Sequence, residues 1–481
     1  MELSKAHPVV SIGDSIREAL QIIDQFAKKI CYVLEGQKLV GVATDGDIRR
    51  GLLNGTMLDD EIGSVMNLNF VSLPYSTDSK IIREQFSSKI RFIPLVDELG
   101  GLVDIADPSE NYRISILEPH LQGNELNYVN DCIKTNWISS QGKYVSQFES
   151  IFEDLHSGMH ALAVSNGSVA LHLALVALGL KEGEEVIVPN ITFAASANSV
   201  IHAGGVPVFC EIDSKTWCMD PEEAKKLISP KTRAIMPVHL YGQPCDLSAL
   251  KNLCEQNKIL MIEDCAEALG SKWQGRKVGT FGDASTFSFF GNKTISTGEG
   301  GMVLFRDQKV LNRAKILRDH GMSEDRRYWH EVVGFNYRLT NLQASVGVAQ
   351  MERFDKIIEK KKSIFENYNE SLRGIVGISL LPAEVEQTFH SNWLFGLVLD
   401  EMLDRELIIK ELLVYGIETR PFFYPMHKMK PYKDYKTSTS LKNSKNISSR
   451  GLSLPSSVKL SPNEQNFVIR CLIKVIEKEL S

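Results

Sequence analysis

Four short apolar runs, at residues 185–189, 206–212, 234–238 and 259–262, alternate with stretches of helical periodicity. No other feature restricts the fold as much. Strands apolar on both faces must be covered on both faces, so this βαβα order predicts a largely parallel sheet between helical layers. Open α/β sheets of that kind bind ligands beyond the carboxyl ends of their strands. The fourth run ends in Glu263-Asp264, and a further strand-like run, 284–290, delivers Lys293 into a turn rich in Gly, Ser and Thr. A carboxylate and an amine are therefore expected at two strand ends.

Pyridoxal 5'-phosphate (PLP) needs such a pair. A lysine amine holds its aldehyde as a Schiff base, and a carboxylate keeps the ring nitrogen protonated so that the ring draws electrons from a substrate carbanion. Taken singly, Asp264 reads better as a helix N-cap and Lys293 as a solvated surface lysine. The apolar, glycine-rich flanks of Lys293 favour the paired role. Residues 164–169 pass from a small strand through Asn166-Gly167-Ser168 into an apolar helix, and amides at a helix N-terminus cradle phosphate. The same residues also serve as a simple cap. His172, inside that helix, reads as core.

The Glu263-Asp264 pair, Ser288, Lys293 and the Gly298-Glu299-Gly300-Gly301 tail together resemble the DegT/DnrJ/EryC1/StrS family of sugar-nucleotide aminotransferases, and the match runs from about Ile114 to the C-terminus. The resemblance implies a type I PLP-dependent transferase fold: a large domain with a mixed, mostly parallel sheet, and a small α+β C-terminal domain. By resemblance Asp264 pairs with the pyridine nitrogen and Lys293 carries the cofactor. Gly167, Ser168 and Ser288 take its phosphate, Phe193 stacks on its ring and Glu267 stands near its 3-hydroxyl. Asn336 reaches the phosphate bound by the neighbouring subunit, which implies a homodimer with shared active sites. The segment containing Trp137 frames the substrate pocket, and the segment with Arg420 and His427 lines the sugar-nucleotide site. An Arg there suits a diphosphate or a carboxylate, because its planar fork gives two hydrogen bonds. On the residues alone, Trp137 is a packed aromatic in a loop, Phe193 a core ring, Glu267 a helix-face charge and Asn336 a turn residue.

The resemblance further implies L-glutamate as amino donor and C4 of a nucleotide-linked 4-keto-6-deoxyhexose as acceptor, with GDP-4-keto-6-deoxymannose as the substrate. The alternatives are a UDP- or dTDP-linked ketosugar, or a nucleotide-sensing protein whose PLP-type half is not catalytic. A dehydratase of the same fold has His where Lys293 stands. The joint presence of Asp264, Ser288 and Lys293 argues against an inactive scaffold and against a purely structural protein.

Residues 1–110 carry an internal repeat offset by about sixty residues. Residues 30–34 followed by Gly41-Val42-Ala43-Thr44-Asp45-Gly46-Asp47 echo residues 91–95 followed by Gly101-Leu102-Val103-Asp104-Ile105-Ala106-Asp107. Each copy reads as helix, strand, strand, helix. This half resembles a tandem pair of CBS domains, which implies an adenine nucleotide as ligand. Thr44 and Asp47 match that family's Thr-x-x-Asp. The second copy has Asp104 in place of the Thr, and an extra carboxylate repels phosphate. A dimerising pair without ligand is the other reading.

With 481 residues, 43% hydrophobic and 24% charged, the chain has enough material for two or three domains, expected at 1–110, 111–375 and 376–481 around a linker at 108–118. A net charge of -6 provides no basic field for nucleic acid or an anionic membrane. Eight cysteines without a Cys-x-x-Cys, and no clustered histidines, point to reduced thiols and no metal site. An N-terminus without an apolar leader places the expected location in the cytoplasm. Residues 433–449, rich in Lys, Ser, Thr and Asn, are expected to form a flexible surface loop.

Overall fold

The computed structural model describes residues 7–26, 28–87, 90–108, 113–381 and 388–481. Of the expected linker, residues 109–112 lie outside the described residues. The chain divides into two compact units: one runs to Ile114 and takes in Lys410–Glu418, the other comprises Ser115–Ile409 and Thr419–Ser481. Apart from residues 113–114 and Lys410–Glu418, the described residues of both stretches expected as large and small domains fall in the second unit. Among the described residues no helix is long and apolar enough to cross a membrane.

The first unit repeats one motif. β1 (Val9–Ser11), the helix Ile16–Phe26, β2 (Ile30–Glu35) and β3 (Lys38–Thr44) are followed by β4 (Leu73–Pro74), the helix Ser79–Gln85, β5 (Ile93–Val96) and β6 (Leu102–Ala106). In each sheet the first strand pairs parallel with the second and the second antiparallel with the third. The leading strands β1 and β4 were not expected, since each is too short to show a hydropathy period. The first copy closes on the helix Asp45–Leu53; the second has no counterpart among the described residues. Ile16, Ala19 and Ile23, at helical spacing, pack against Cys31, Val33, Ala43 and Ile48.

In the second unit β7 (His160–Val164), β8 (Glu185–Pro189), β9 (Val206–Cys210), β10 (Thr232–Ile235), β11 (Leu260–Asp264), β14 (Ala284–Ser288) and β15 (Gly301–Phe305) form a seven-stranded sheet of order β7-β15-β14-β11-β10-β8-β9. Between β11 and β14 lie two short strands, β12 (Lys272–Trp273) and β13 (Arg276–Lys277), which belong to a separate small sheet. Only β15 runs antiparallel to its neighbours in the large sheet, so this is the expected mixed, mostly parallel α/β sheet. Alternate residues feed two cores: Ile187, Ile235, Met261, Met302 and Leu304 face one side, and Val186, Val188, Ala234, Ile262, Val303 and Phe305 the other. Burial on both faces explains why these strands read as unbroken apolar runs.

Further on, β16 (Ile378–Leu380), β18 (Phe395–Leu399), β20 (Gly451–Leu454) and β19 (Arg420–Pro421) form a four-stranded sheet, while β17 (Thr388–Phe389) joins β12. The long helix Phe354–Leu372 precedes that sheet and Pro462–Leu480 ends the chain. The loop expected at 433–449 is ordered instead: residues 442–450 form a helix, and Phe209 exchanges backbone hydrogen bonds with Lys436 and Ser438.

Candidate active site

The register of the large sheet brings the carboxyl ends of β7, β11 and β14 to one edge, with Val164 opposite Gly301, Gly301 opposite Ser288, and Asp264 opposite Thr286. From the end of β7 the chain turns at Asn166, whose Oδ1 accepts the Val169 amide at 3.0 Å and caps the helix Gly167–Ala177. Gly167 comes so close to β14 that a Cβ on it would stand 2.7 Å from the Cβ of Ser288. Any larger residue here would force a shift, and Gly167, Ser168 and Ser288 line a cavity of about 630 Å³.

Asp264 ends β11 and lines that cavity. Its Oδ2 accepts the Ser196 hydroxyl at 2.8 Å and its Oδ1 the Ala266 amide at 3.1 Å. Burial pushes its carboxyl above the usual range, against those hydrogen bonds and the nearby Lys293 amine. Glu263, one residue earlier, points to the other side, where the Gly279, Phe281 and Gly282 amides and His239 satisfy it. The strand's period of two thus separates an acid that lines the cavity from one that does not.

Lys293 has a side chain 13% exposed, with Nζ 3.7 Å from Glu267 Oε1 and 4.0 Å from the centre of the Trp393 ring. Burial lowers its pKa, while Glu267 and Asp264 oppose that shift. Glu267 is raised to about 6, chiefly by burial, although Lys293 and the Tyr241 amide act to lower it. That amide donates to Glu267 Oε2 at 2.8 Å from a Tyr241 held at φ 55°. Glu267 does not lie on a helix face: residues 265–270 form turns. The amine thus sits against one carboxylate and an indole face, with Asp264 acting on it as a further charge, a setting that favours ready gain and loss of a proton.

Phe193 precedes the helix Ala194–His202, remains 59% exposed and presents its ring to the cavity, 6.1 Å from that of Phe423. Arg420, on β19, also lines the cavity. Three residues expected near the substrate or cofactor stand outside this lining. Trp137 is 55% exposed and its carbonyl accepts the Asn341 carboxamide at 2.7 Å. Asn336 accepts from Arg338 at 3.3 Å. His427 Nδ1 lies 3.0 Å from Asn190 Oδ1, and burial lowers its pKa, with Lys445 and Lys428 adding to the effect. In the first unit, Thr44 and Asp47 satisfy each other in a capping box, with Thr44 Oγ1 2.6 Å from Asp47 Oδ2.

Sequence reasoning missed Tyr241, Trp393 and Asn292 as cavity residues, and Ser196 as the hydroxyl that holds Asp264. Each is an ordinary core or loop residue in its own segment, and only the fold converges them. His172, expected as core, is buried, yet it also lines the cavity and lies 3.2 Å from the Tyr337 hydroxyl.

The donor set fits PLP on this geometry: a buried carboxylate with one oxygen held by a serine, a lysine of lowered pKa, an exposed aromatic ring, and a glycine-serine cradle that a Cβ would fill. A family model for the DegT/DnrJ/EryC1/StrS aminotransferases matches residues 119–473, and a CBS-domain model matches residues 2–54. The GDP-perosamine synthase of Vibrio cholerae is 45% identical over 365 residues, covering 75% of this chain and 98% of that protein. That of Caulobacter vibrioides is 43% identical over 366 residues, covering 76% and 98%. Among solved structures, DesV of S. venezuelae in complex with a ketimine intermediate is 30% identical, with a TM-score of 0.71 over 75% of this chain and 98% of that one. Helicobacter pylori PseC, an aminotransferase involved in pseudoaminic acid biosynthesis, is 25% identical, with a TM-score of 0.73 over 76% and 100%. Family match, fold and site agree: the chain belongs to the DegT/DnrJ/EryC1/StrS aminotransferase family and is a PLP-dependent sugar aminotransferase carrying an N-terminal CBS domain.

Proposed function

We propose that this enzyme transfers the amino group of L-glutamate to C4 of GDP-4-keto-6-deoxy-D-mannose, giving GDP-perosamine for surface polysaccharide biosynthesis in the cytoplasm. The observation that carries the reading is the convergence of Lys293, Asp264 and Glu267 in one cavity, in a chain that matches two GDP-perosamine synthases over 98% of their length. The same relatives favour a GDP-linked sugar over a UDP- or dTDP-linked one.

Bound PLP supplies an aldehyde to accept the donor's nitrogen and a ring into which the electrons of the broken C–H bond are drawn. The chain's own residues supply the rest. Asp264, fixed by Ser196, offers a negative oxygen to a protonated ring nitrogen. Lys293, with its lowered pKa, is available as a neutral amine, first as the cofactor's anchor and then as the base and acid that moves a proton at the donor's Cα and at sugar C4. Gly167, Ser168 and Ser288 hold the phosphate, Phe193 covers the ring, and Glu267 orients it near the 3-hydroxyl. Arg420 takes an anion, either the diphosphate or a donor carboxylate. Trp137 and His427 contribute from outside the cavity, and Asn336 of the partner subunit completes the phosphate site in a homodimer. In the first unit, an adenine nucleotide at Thr44 and Asp47 adjusts activity.

The test is incubation with L-glutamate and GDP-4-keto-6-deoxymannose, followed by mass spectrometry. A GDP-linked 4-amino sugar formed with equimolar 2-oxoglutarate, and neither product with Lys293→Ala, is the expected outcome. Equal turnover of dTDP- or UDP-linked ketosugars would remove the GDP assignment. For the first unit, titration calorimetry of the full chain with AMP, ADP and ATP should show heat that Asp47→Asn abolishes.

A further inference from the structure

We propose that Lys361 is a positioning residue for Lys293, acting through Trp393. The helix Phe354–Leu372 buries Ile357, Lys361, Ile364, Phe365 and Tyr368 along one stripe, so a lysine occupies a position where the pattern calls for an aliphatic side chain. It is 2% exposed. Its amine donates to two backbone carbonyls, those of Trp393 at 3.0 Å and Ser456 at 2.9 Å. Burial alone lowers its pKa, to about 7. An amine buried on carbonyl acceptors is a costly choice for packing, and the position of those carbonyls explains it.

Trp393 is fixed at both ends. Its carbonyl is held by Lys361, and its indole N–H donates at 2.7 Å to the carbonyl of Asn292, the residue before Lys293. The turn entering it is unusual, since Asn392 sits at φ 61° with its amide on His390 Nδ1 at 2.8 Å. The indole stacks at 17° on Tyr241, whose amide holds Glu267, and its face lies 4.0 Å from the Lys293 amine. The two lysines also border one small gap of about 10 Å³, along with Glu118 and His120. Lys361 thereby sets the backbone that carries the indole, and the indole stabilises the protonated amine of Lys293 through its ring face. The inference rests on Lys293 being the lysine that binds the cofactor.

The experiment uses the full chain stripped of cofactor and follows the rate of PLP uptake by absorbance across pH, which reports the pKa of the capturing amine. Positioning through Trp393 predicts that Lys361→Met lowers the midpoint by about half a pH unit or more, because the displaced indole no longer favours the charged form. Trp393→Phe, which leaves Lys361 in place, should lower it similarly. A rise in Lys361→Met overturns the proposal, because loss of a neighbouring positive charge would then be the larger effect. An unchanged midpoint in either variant overturns it as well. If Lys361→Met does not fold, Lys361→Gln is scored in the same way. Lys293→Ala separates the two levels: if it captures PLP as the wild type does, the assignment of Lys293 has failed, and not its positioning.

Discussion

Two lysines in one core respond differently to burial. Lys293 is compensated by Glu267 and Asp264, whereas Lys361 has only carbonyls, and burial lowers it to about 7. The sign of the consequence for stability is fixed by linkage. Between about pH 7 and 10.5 the unfolded chain carries a proton at residue 361 that the folded chain does not. Stability therefore rises with pH in that window, by up to about 1.4 kcal/mol per unit from this group, and the slope vanishes below it, where both states are protonated. Denaturant unfolding at pH 7, 8 and 9 should show this increment in the wild type and not in Lys361→Met, whatever the variant's absolute stability. A second residue-scale prediction concerns Gly167. An alanine there would stand 2.7 Å from the Ser288 Cβ, so the lining of the cavity must shift at that point. We expect PLP affinity to fall about tenfold or more, with a stability loss of about 1–3 kcal/mol from overpacking. Equilibrium dialysis and a thermal melt measure the two separately.

Among the elements, the helix Lys442–Arg450 shows how a polar stretch is held in place. The buried Glu211, just past β9, accepts the Ser444 amide at 2.9 Å and the Asn443 amide at 2.8 Å, and the Asn190 carboxamide donates to the Ser444 hydroxyl at 2.7 Å. Replacing Glu211 with Gln turns a donor toward these amides. It should cost about 1–3 kcal/mol and expose residues 433–449 to protease, seen as a new early cleavage in limited digestion. The sequence showed nothing of this, because the partners are more than 200 residues away and the composition of that stretch matches a loop. The large sheet was legible for the opposite reason. Ile187, Ile235 and Met261 lie in strands buried on both faces, so hydropathy alone marks them. Strand ends differed by a few residues, since ladder pairing and not hydropathy ends a strand, as where β14 stops at Ser288 and not at Phe290. Asp264 and Lys293 were legible as chemistry at strand ends. Trp393 and Ser196 carry no local mark and become visible only once the fold converges. Thr44 and Asp47 show the reverse case: Thr-x-x-Asp reads as a ligand motif and is equally a capping box.

At the scale of the whole molecule, the cavity holds every expected cofactor residue except Asn336, which accepts from Arg338 elsewhere on the same chain. If Asn336 acts on a neighbour's phosphate, each site draws Lys293 from one chain and Asn336 from the other, and that division can be tested without a structure of the dimer. Lys293→Ala and Asn336→Ala homodimers have two defective sites each. In a hybrid of the two, one site collects both defects and the other collects none, because closed two-fold symmetry makes the sites trade the same pair of residues. Random reassortment of equal amounts makes half of the dimers hybrid with one intact site in two, so activity should return to about one quarter of the wild-type value. Denaturing and refolding the two variants together, against each refolded alone, measures this. Recovery to that level assigns Asn336 to the partner's site, whereas a mixture no more active than the mean of its parents returns Asn336 to its own chain.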